Sequence, residues 1–138
     1  MRKRLMLLLS VLLSFTLIAA ACGDDDDSGD GGNLGIAFDT GGRGDGTFND
    51  AAGRGADKAA ADLGVSVDEL EAITEEDRGP NLEALVENGN NPIIAVGFAF
   101  GDALAPIAEA NPDTFFGWID GYYDAPNVDS RANAEEIG

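Results

Sequence analysis

Residues 34–64 read LGIAFDTGGRGDGTFNDAAGRGADKAAADLG and contain three features in succession. The apolar run at residues 34–38 predicts a short buried strand. A glycine-rich loop follows it at residues 39–47. Apolar and small residues then recur at helical spacing over residues 48–63, which predicts an amphipathic helix. The stretch therefore predicts a strand, a loop and a helix packed on one another.

The rest of the chain repeats this alternation. Thr47 with Asp50 three residues later resembles a shortened capping box, and Gly64 suits a helix end. Pro80 suits a first helical turn, and Asp102 suits a helix cap. We expect strands at residues 65–70, 92–98 and 115–120, a fifth strand from residue 127, helices at residues 80–88 and 102–110, and a polar loop at residues 71–79.

This order predicts an α/β fold with a parallel sheet covered by helices. In such sheets, ligands bind beyond the carboxyl ends of the strands. Here those ends carry polar residues or glycines: Asp39 after the first strand, residues 97–102 after the third and Asp120 after the fourth. We therefore place the functional site at that edge.

The chain is strongly acidic. Its 138 residues contain 26 acidic and 8 basic side chains, for a net charge of −18, and no histidine. Nucleic-acid binding needs a basic footprint, so we expect no nucleic-acid partner. The lack of histidine excludes a His-based triad and a His-ligated metal, and we expect neither a metal nor a cofactor.

The first 33 residues are interpreted as an export and anchoring segment. Arg2, Lys3 and Arg4 precede an apolar run and three alanines, the layout of a signal peptide at residues 1–21. Cys22 follows directly, and we interpret it as the lipid-bearing (palmitate) first residue of a mature lipoprotein. A plain cleaved signal is the alternative. In the lipoprotein interpretation, the lipid-bearing Cys22 and the Asp/Gly-rich residues after it form a tether at residues 22–33.

Several loop residues carry candidate chemistry. The loop at residues 39–49 fits neither the G-x-G-x-x-G pattern nor a P-loop. Phe48, at the helix start, could pack on the core or form a platform for a flat ligand, and Asn49 offers two donors and one acceptor. Asp120 could accept hydrogen bonds from a ligand or cap its own loop. The aromatic residues that alternate along the predicted strands are expected to be mostly core: Phe98, Phe100, Phe115, Phe116 and Trp118. The RGD tripeptide at residues 43–45 is too short to support an adhesion role.

Four segments occur in a characteristic order: DTGGRGDGTFNDAAGRGADKAAADLGV, IIAVGFAFGDAL, FFGWIDG and NV…AEEIG. They resemble the basic membrane protein (BMP) family of lipoproteins over residues 34–138. These are substrate-binding proteins of ABC importers, akin to purine-nucleoside receptor A. The family's Asp-Gly-Ser-Phe-Asn element appears as residues 45–49, its Gly-Phe strand end as Gly97-Phe98 and its Ile-Asp strand end as Ile119-Asp120.

The resemblance implies a periplasmic-binding-protein-like type I fold with two lobes that close on a nucleoside. In the family, the Phe of this element stacks on the base, while its Asn and a first-lobe aspartate contact the base. Carried over, these residues are Phe48, Asn49 and Asp120. With the strand-end residues Asp39, Gly97 and Phe98, they form the ligand-binding set that we expect.

Family members are much longer, so we expect residues 34–138 to be an incomplete first lobe and the chain to be truncated. The implied protein is a transport lipoprotein on the extracytoplasmic face of the cell membrane. Its partners would be a nucleoside, an ABC permease and the membrane through the lipid anchor, with no catalysis. Two alternatives stay open: a nucleotide-dependent α/β enzyme and an acidic surface lipoprotein with an interaction role.

Overall fold

The computed structural model describes residues 31–131, so residues 1–30, including the expected signal and Cys22, lie outside it. Strands and helices alternate along the described chain as far as the fourth strand. The elements are β1 (Gly31–Phe38), α1 (Phe48–Leu63), β2 (Val65–Glu71), α2 (Arg78–Glu87), β3 (Ile93–Val96), α3 (Gly101–Ala110), β4 (Phe116–Ile119) and β5 (Val128–Arg131).

The five strands form one sheet in the order β2-β1-β3-β4-β5, and all neighbouring pairs are parallel. The expected parallel α/β fold is therefore confirmed. The strands also end in register, because Phe38 lies beside Val96, Val96 beside Ile119 and Ile119 beside Arg131. The residues that follow these partners therefore share one edge of the sheet.

One face of the sheet is covered by α2 and α3. Ala95, Phe116 and Trp118 point to this face, where the helices contribute Leu82, Leu85, Leu104 and Ile107 to a buried apolar cluster. The alternation of strand side chains sends their neighbours to the other face. That face carries a smaller cluster of Ile36, Phe38 and Val96 against Ala56 of α1. The apolar periodicity of the sequence thus corresponds to two cores on either side of the sheet.

The first strand is longer than predicted. It begins at Gly31 instead of residue 34, because Asn33 holds this end of β1 to the neighbouring strand. Its amide nitrogen donates to Asp68 (3.3 Å), and its amide oxygen accepts from the Ser66 hydroxyl (2.8 Å). Polar side chains thus extend pairing beyond the apolar run.

Two helix starts differ from the prediction. The segment at residues 71–79 is partly helical: a short 3-10 turn at Glu75–Asp77 leads into α2, with Asp77 accepting from the backbone of Ile73 and Thr74. Asp102 was predicted to cap α3, and this is wrong. The 3-10 turn Phe98–Phe100 runs directly into α3, so Asp102 lies within the first helical turn, where its charge favours the helix dipole.

No helix within residues 31–131 has the length and apolar character needed to cross a bilayer. The same stretch has no cluster of three or more acidic or cysteine side chains placed to hold a metal ion.

Candidate ligand-binding site

Asp39, Gly97 and Asp120 each follow the last residue of a register-aligned strand. They lie after β1, β3 and β4, which are neighbours in the sheet, so the structure brings the three predicted strand ends to one edge. Ring and amide groups from the loop after β1 lie at the same edge, since α1 begins there with Phe48 and Asn49. The carboxyl edge therefore collects the predicted residues from sequence-distant segments.

The Asp39 carboxylate is held by an arginine that the sequence analysis did not identify. Arg78, the first residue of α2, places Nε and Nη2 each 2.8 Å from Asp39 Oδ1. The Thr40 backbone N–H donates to the same oxygen at 2.7 Å. The side chains of Arg78 and Asp39 are 12% and 17% exposed, so this ion pair is largely withdrawn from water. These three contacts all involve Asp39 Oδ1 and hold the carboxylate in one orientation.

Gly97 allows the Asp39 side chain to lie against β3. Its φ of 127° is in the region that L side chains rarely adopt, and an added Cβ would lie 2.9 Å from Asp39 Oδ2. Its carbonyl oxygen accepts a buried hydrogen bond from Trp118 Nε1 at 2.8 Å. Trp118, predicted as a core residue, is buried and in addition fixes the peptide that follows β3. Gly97 is therefore a structural requirement of this edge.

Phe98 was expected both to belong to the ligand-binding set and, from its place in the strand pattern, to be mostly core. The second expectation is wrong, because Phe98 is 73% exposed at the carboxyl edge. The positive-φ bend at Gly97 ends β3 before it and reorients the chain into the following 3-10 turn. Phe115, the other strand-end Phe predicted as core, is also exposed, whereas Phe100, Phe116 and Trp118 are buried. The edge therefore presents an apolar ring to solvent.

Asp120 occupies a sharp turn directly after β4. Among residues 31–131, Asp120 is the one residue other than glycine that has a positive φ, which is 70°. Its backbone N–H donates to the Arg131 carbonyl at 2.7 Å. Aspartate tolerates the left-handed region better than most side chains, but the conformation still costs energy. Such strain is often retained at functional sites, which makes Asp120 a candidate for more than a turn residue.

The start of α1 is capped by Asp45, and the predicted capping box of Thr47 and Asp50 is wrong. The Asp45 carboxylate accepts from the backbone N–H groups of Thr47 (2.8 Å), Asn49 (2.9 Å) and Asp50 (3.2 Å). These bonds lower the pKa of the Asp45 carboxyl, since each favours its charged form. Thr47 makes no side-chain cap. Asp50 instead points back and accepts from Gly44 (2.7 Å) and Gly46 (2.9 Å).

This arrangement bears on two interpretations of the loop. A helix N-terminus attracts anions through its unpaired N–H groups, but here Asp45 already occupies them with a negative charge. The loop therefore does not form a phosphate cradle in this conformation. Arg43 and Asp45 of the RGD tripeptide are both bound to other parts of this chain, which removes the tripeptide as a displayed adhesion motif.

Phe48 and Asn49 occupy the junction between loop and helix. Phe48 is half-buried and packs on the cluster of Ile36, Phe38 and Val96. Asn49 is only 5% exposed, and its side-chain oxygen is buried without a hydrogen-bond partner among the described residues. A buried polar atom left unpaired costs about 1–3 kcal/mol. Asn49 is therefore poised to gain a partner.

An apolar groove of about 720 Å³ runs along the sheet face beside α1. It begins near Phe48 and Ile119 at the carboxyl edge and extends past Ile94 to Leu34 and Phe115 at the opposite edge. Parallel sheets are normally covered on both faces. The groove is the part of this face that α1 leaves uncovered, and Phe48 borders both the groove and the candidate site.

Comparison with known proteins identifies the family. Residues 34–136 match the family model Bmp, described as ABC transporter substrate-binding protein PnrA-like. An uncharacterized lipoprotein of Pyrococcus furiosus is 34% identical over 111 residues, which are 80% of this chain and 27% of that protein. The CD4+ T-cell-stimulating antigen of Listeria innocua is 30% identical over an alignment that covers the whole chain and 41% of the antigen. The chain thus spans well under half the length of these relatives.

Solved structures agree with this match. An ABC transporter system solute-binding protein from Aeropyrum pernix K1 superposes with a TM-score of 0.67 at 34% identity, over 72% of this chain and 28% of that one. A putative lipoprotein fragment from Peptoclostridium difficile 630, at 24% identity, shares the fold with a TM-score of 0.65 and is covered over 83% of its length. The sheet and its flanking helices are those of a periplasmic-binding-protein-like lobe. The chain belongs to the PnrA-like family of ABC transporter substrate-binding proteins.

Proposed function

We propose that this protein binds a purine nucleoside at the carboxyl edge of its sheet and presents it to an ABC permease. Membership of the substrate-binding family supports a small-molecule ligand and a permease partner. The choice of a nucleoside rests on the Phe48-Asn49 pair and on the carboxylates at the ends of β1 and β4. The proposal includes no catalytic step and no cofactor.

The observation that carries the nucleoside proposal is the unpaired amide oxygen of Asn49. It is buried, and it belongs to the residue that follows the half-buried Phe48 at the edge where ligands of parallel sheets bind. A flat heterocycle over Phe48 would gain stacking, and a ring N–H directed at Asn49 would remove the cost of the unpaired oxygen. A purine base combines both properties, a planar face and a hydrogen-bonding edge.

The remaining site residues would act around this pair. Asp39 and Asp120 would accept hydrogen bonds from N–H or O–H groups of the ligand, because an ionised carboxylate only accepts. Gly97 allows close approach of the chain beside Asp39, and the exposed ring of Phe98 would cover an apolar part of the ligand. Carboxylates at the edge would repel a phosphate, so we propose nucleosides rather than nucleotides.

We further propose that residues 34–138 form an incomplete first lobe, and that a full site closes between two lobes about a hinge. The relatives support this proposal, since the chain covers 27% and 41% of two of them. A single lobe would supply only one wall of the cleft. We therefore expect this chain to bind nucleosides more weakly than a two-lobed relative does.

The binding proposal is tested by titrating guanosine, inosine and adenosine into the wild-type protein and its Phe48→Ala variant by calorimetry. Loss of the stacking ring is expected to weaken binding at least 10-fold, or about 1.4 kcal/mol. Phe115→Ala is the matched control, because Phe115 lies at the opposite end of β4 and should leave the affinity unchanged. Absence of binding by all three nucleosides in the wild type would contradict the proposal. Equal affinity of Phe48→Ala and wild type would contradict the stacking role.

We also propose that the protein is exported and anchored to the extracytoplasmic face of the membrane through a lipid on Cys22. The family match and the relatives named as lipoproteins support this location. We expect the native, membrane-extracted protein to begin at Cys22 with acyl groups attached to that residue, as mass spectrometry of its N-terminal peptide would show, and Cys22→Ser to prevent membrane retention. An unmodified cysteine in the wild-type protein would favour the plain cleaved signal.

A further inference from the structure

Arg43 is the most heavily engaged side chain of the glycine-rich loop. Its Nε donates to Glu69 Oε2 at 2.8 Å, and Nη2 also bonds the other Glu69 oxygen. The same guanidinium forms a second two-pronged pair with Asp57, through Nη1 at 3.0 Å and Nη2 at 2.9 Å. Two-pronged pairs of this kind fix orientation as well as distance. Arg43 thus joins the loop to β2, which carries Glu69, and to α1, which carries Asp57.

Further contacts restrain both the backbone and the side chain of Arg43. Its backbone N–H donates to Glu71 at 2.9 Å, and Nη2 donates to the Gly53 carbonyl at 3.1 Å. The guanidinium carbon lies 6.0 Å from the centre of the Phe38 ring. Gly53 provides the room, because a Cβ there would lie 2.7 Å from the guanidinium carbon. The space beside Gly53 is therefore filled by the Arg43 guanidinium.

The electrostatic consequences follow from the same contacts. The hydrogen bonds to Glu69 and Asp57 raise the pKa of Arg43, and Arg43 in turn lowers the pKa of the Asp57 carboxyl. The guanidinium is charged at any physiological pH. The Glu69 side chain is 27% exposed, and without Arg43 its charge and that of Asp57 would face one another across the loop. Removal of Arg43 therefore releases the loop and adds repulsion.

The loop needs such an anchor because of its composition. Gly41, Gly42, Gly44 and Gly46 all adopt positive φ, so an untethered chain of this composition would sample many conformations. Asp45 and Asp50 order its last part through backbone N–H groups. Arg43 ties the central part to the rest of the fold. Together these contacts place the following residues, Phe48 and Asn49, in one position before any ligand arrives.

We propose that Arg43 is the positioning residue of the ligand site: it pre-organises the loop that presents Phe48 and Asn49, without touching the ligand. This inference rests on the proposed nucleoside site. A loop that is already ordered loses little conformational entropy when the ligand binds. A loosened loop must first be ordered, and the entropy lost in ordering it weakens the affinity. Arg43 should therefore act on ligand affinity from outside the site.

The test compares Arg43→Met with Arg54→Met, which removes an exposed arginine from α1. Two quantities are measured well below the unfolding temperature: the affinity for guanosine and the hydrogen exchange of the Gly44, Gly46 and Asn49 amides. We expect Arg43→Met to weaken guanosine binding at least 10-fold and to accelerate exchange of these amides at least 10-fold. Arg54→Met should change neither quantity. Arg43→Lys, which keeps the charge but not the two-pronged pairs, should fall between the two.

The outcomes separate this inference from the proposed function. If wild-type protein binds none of the nucleosides, the proposed function fails, and unchanged amide exchange in Arg43→Met would then overturn the anchoring role as well. If the wild type binds and Arg43→Met binds equally well, the inference alone is overturned. Should Arg43→Met fail to fold, Glu69→Gln is tested instead, since it weakens only one of the two pairs. We expect it to weaken guanosine binding and to accelerate amide exchange, both by less than Arg43→Met would. A merely structural role would lower the unfolding temperature and leave the affinity of the folded protein unchanged.

Discussion

Replacing Gly97 by alanine is expected to lower the free energy of unfolding by about 2–4 kcal/mol, the sum of backbone strain and steric overlap. The φ of 127° and ψ of 146° at Gly97 belong to a region that is almost restricted to glycine. The new methyl group would lie 2.9 Å from Asp39 Oδ2 and 3.1 Å from Asp39 Cβ. The second of these contacts involves an atom close to the backbone, so rotation of the side chain alone cannot relieve it.

Two other glycines separate the contributions to this effect. Gly46 has a φ of 71° but open space around its missing Cβ, so Gly46→Ala should show the strain alone, about 1 kcal/mol. Gly55 lies in the exposed part of α1 with no atom near, and Gly55→Ala should stabilise the protein by about 0.5–1 kcal/mol. The three free energies are measured by denaturant unfolding monitored through Trp118. A loss at Gly97 no larger than that at Gly46 would contradict the steric role of Asp39.

The same substitution should affect the proposed site. Displacement of the Asp39 carboxylate would break its alignment with Arg78 and disturb the peptide that Trp118 holds through the Gly97 carbonyl. If the nucleoside proposal is correct, Gly97→Ala should weaken binding by more than Gly46→Ala. Strain and recognition are thus coupled at the end of β3.

Periodicity and composition were sufficient to predict the elements that pack on the sheet. The apolar runs at β1 and β3 and the helical stripe of α1 lie in the structure where the pattern placed them, and Gly64 ends α1 in the left-handed conformation. Strand ends were predicted less well. β3 ends at Val96, two residues before Phe98, because Gly97 bends the chain, and the Phe98 ring is left exposed. An apolar run in the sequence does not reveal this backbone angle.

The polar framework of the site was not predicted, because its partners are far apart in the chain. Arg43 lies 26 residues from Glu69, and Arg78 lies 39 residues from Asp39. Such pairs depend on the order of strands in the sheet. The sequence does not reveal that β1 lies between β2 and β3, which is what brings these partners together. Asp45 caps the start of α1, whereas local spacing favoured Thr47 as the cap. The ligand residues themselves came from the family resemblance, and their roles stay a prediction.

The second large effect is expected for Arg78→Met, which should destabilise the protein by about 2–4 kcal/mol. The methionine keeps much of the apolar volume but removes the cation that compensates Asp39. Because the Asp39 side chain is only 17% exposed, water replaces the lost partner incompletely. Arg131→Met is the control: Arg131 pairs with Asp129 at 2.7 Å, but its side chain is 75% exposed, and its loss should cost at most about 0.5 kcal/mol.

A double-mutant cycle determines whether the effect belongs to the pair. Asp39→Asn alone leaves Arg78 without its carboxylate and should also destabilise the protein. Combined with Arg78→Met, it removes the charge that Arg78→Met leaves unpaired, so the double variant should lose clearly less than the sum of the single losses. Additive losses would show that Arg78 acts through packing of α2 alone. The same variants report on function: if Asp39 accepts a hydrogen bond from the ligand, Arg78→Met should weaken binding in protein that remains folded. In that case Arg78 holds the carboxylate in position for the ligand, as Arg43 holds the neighbouring loop.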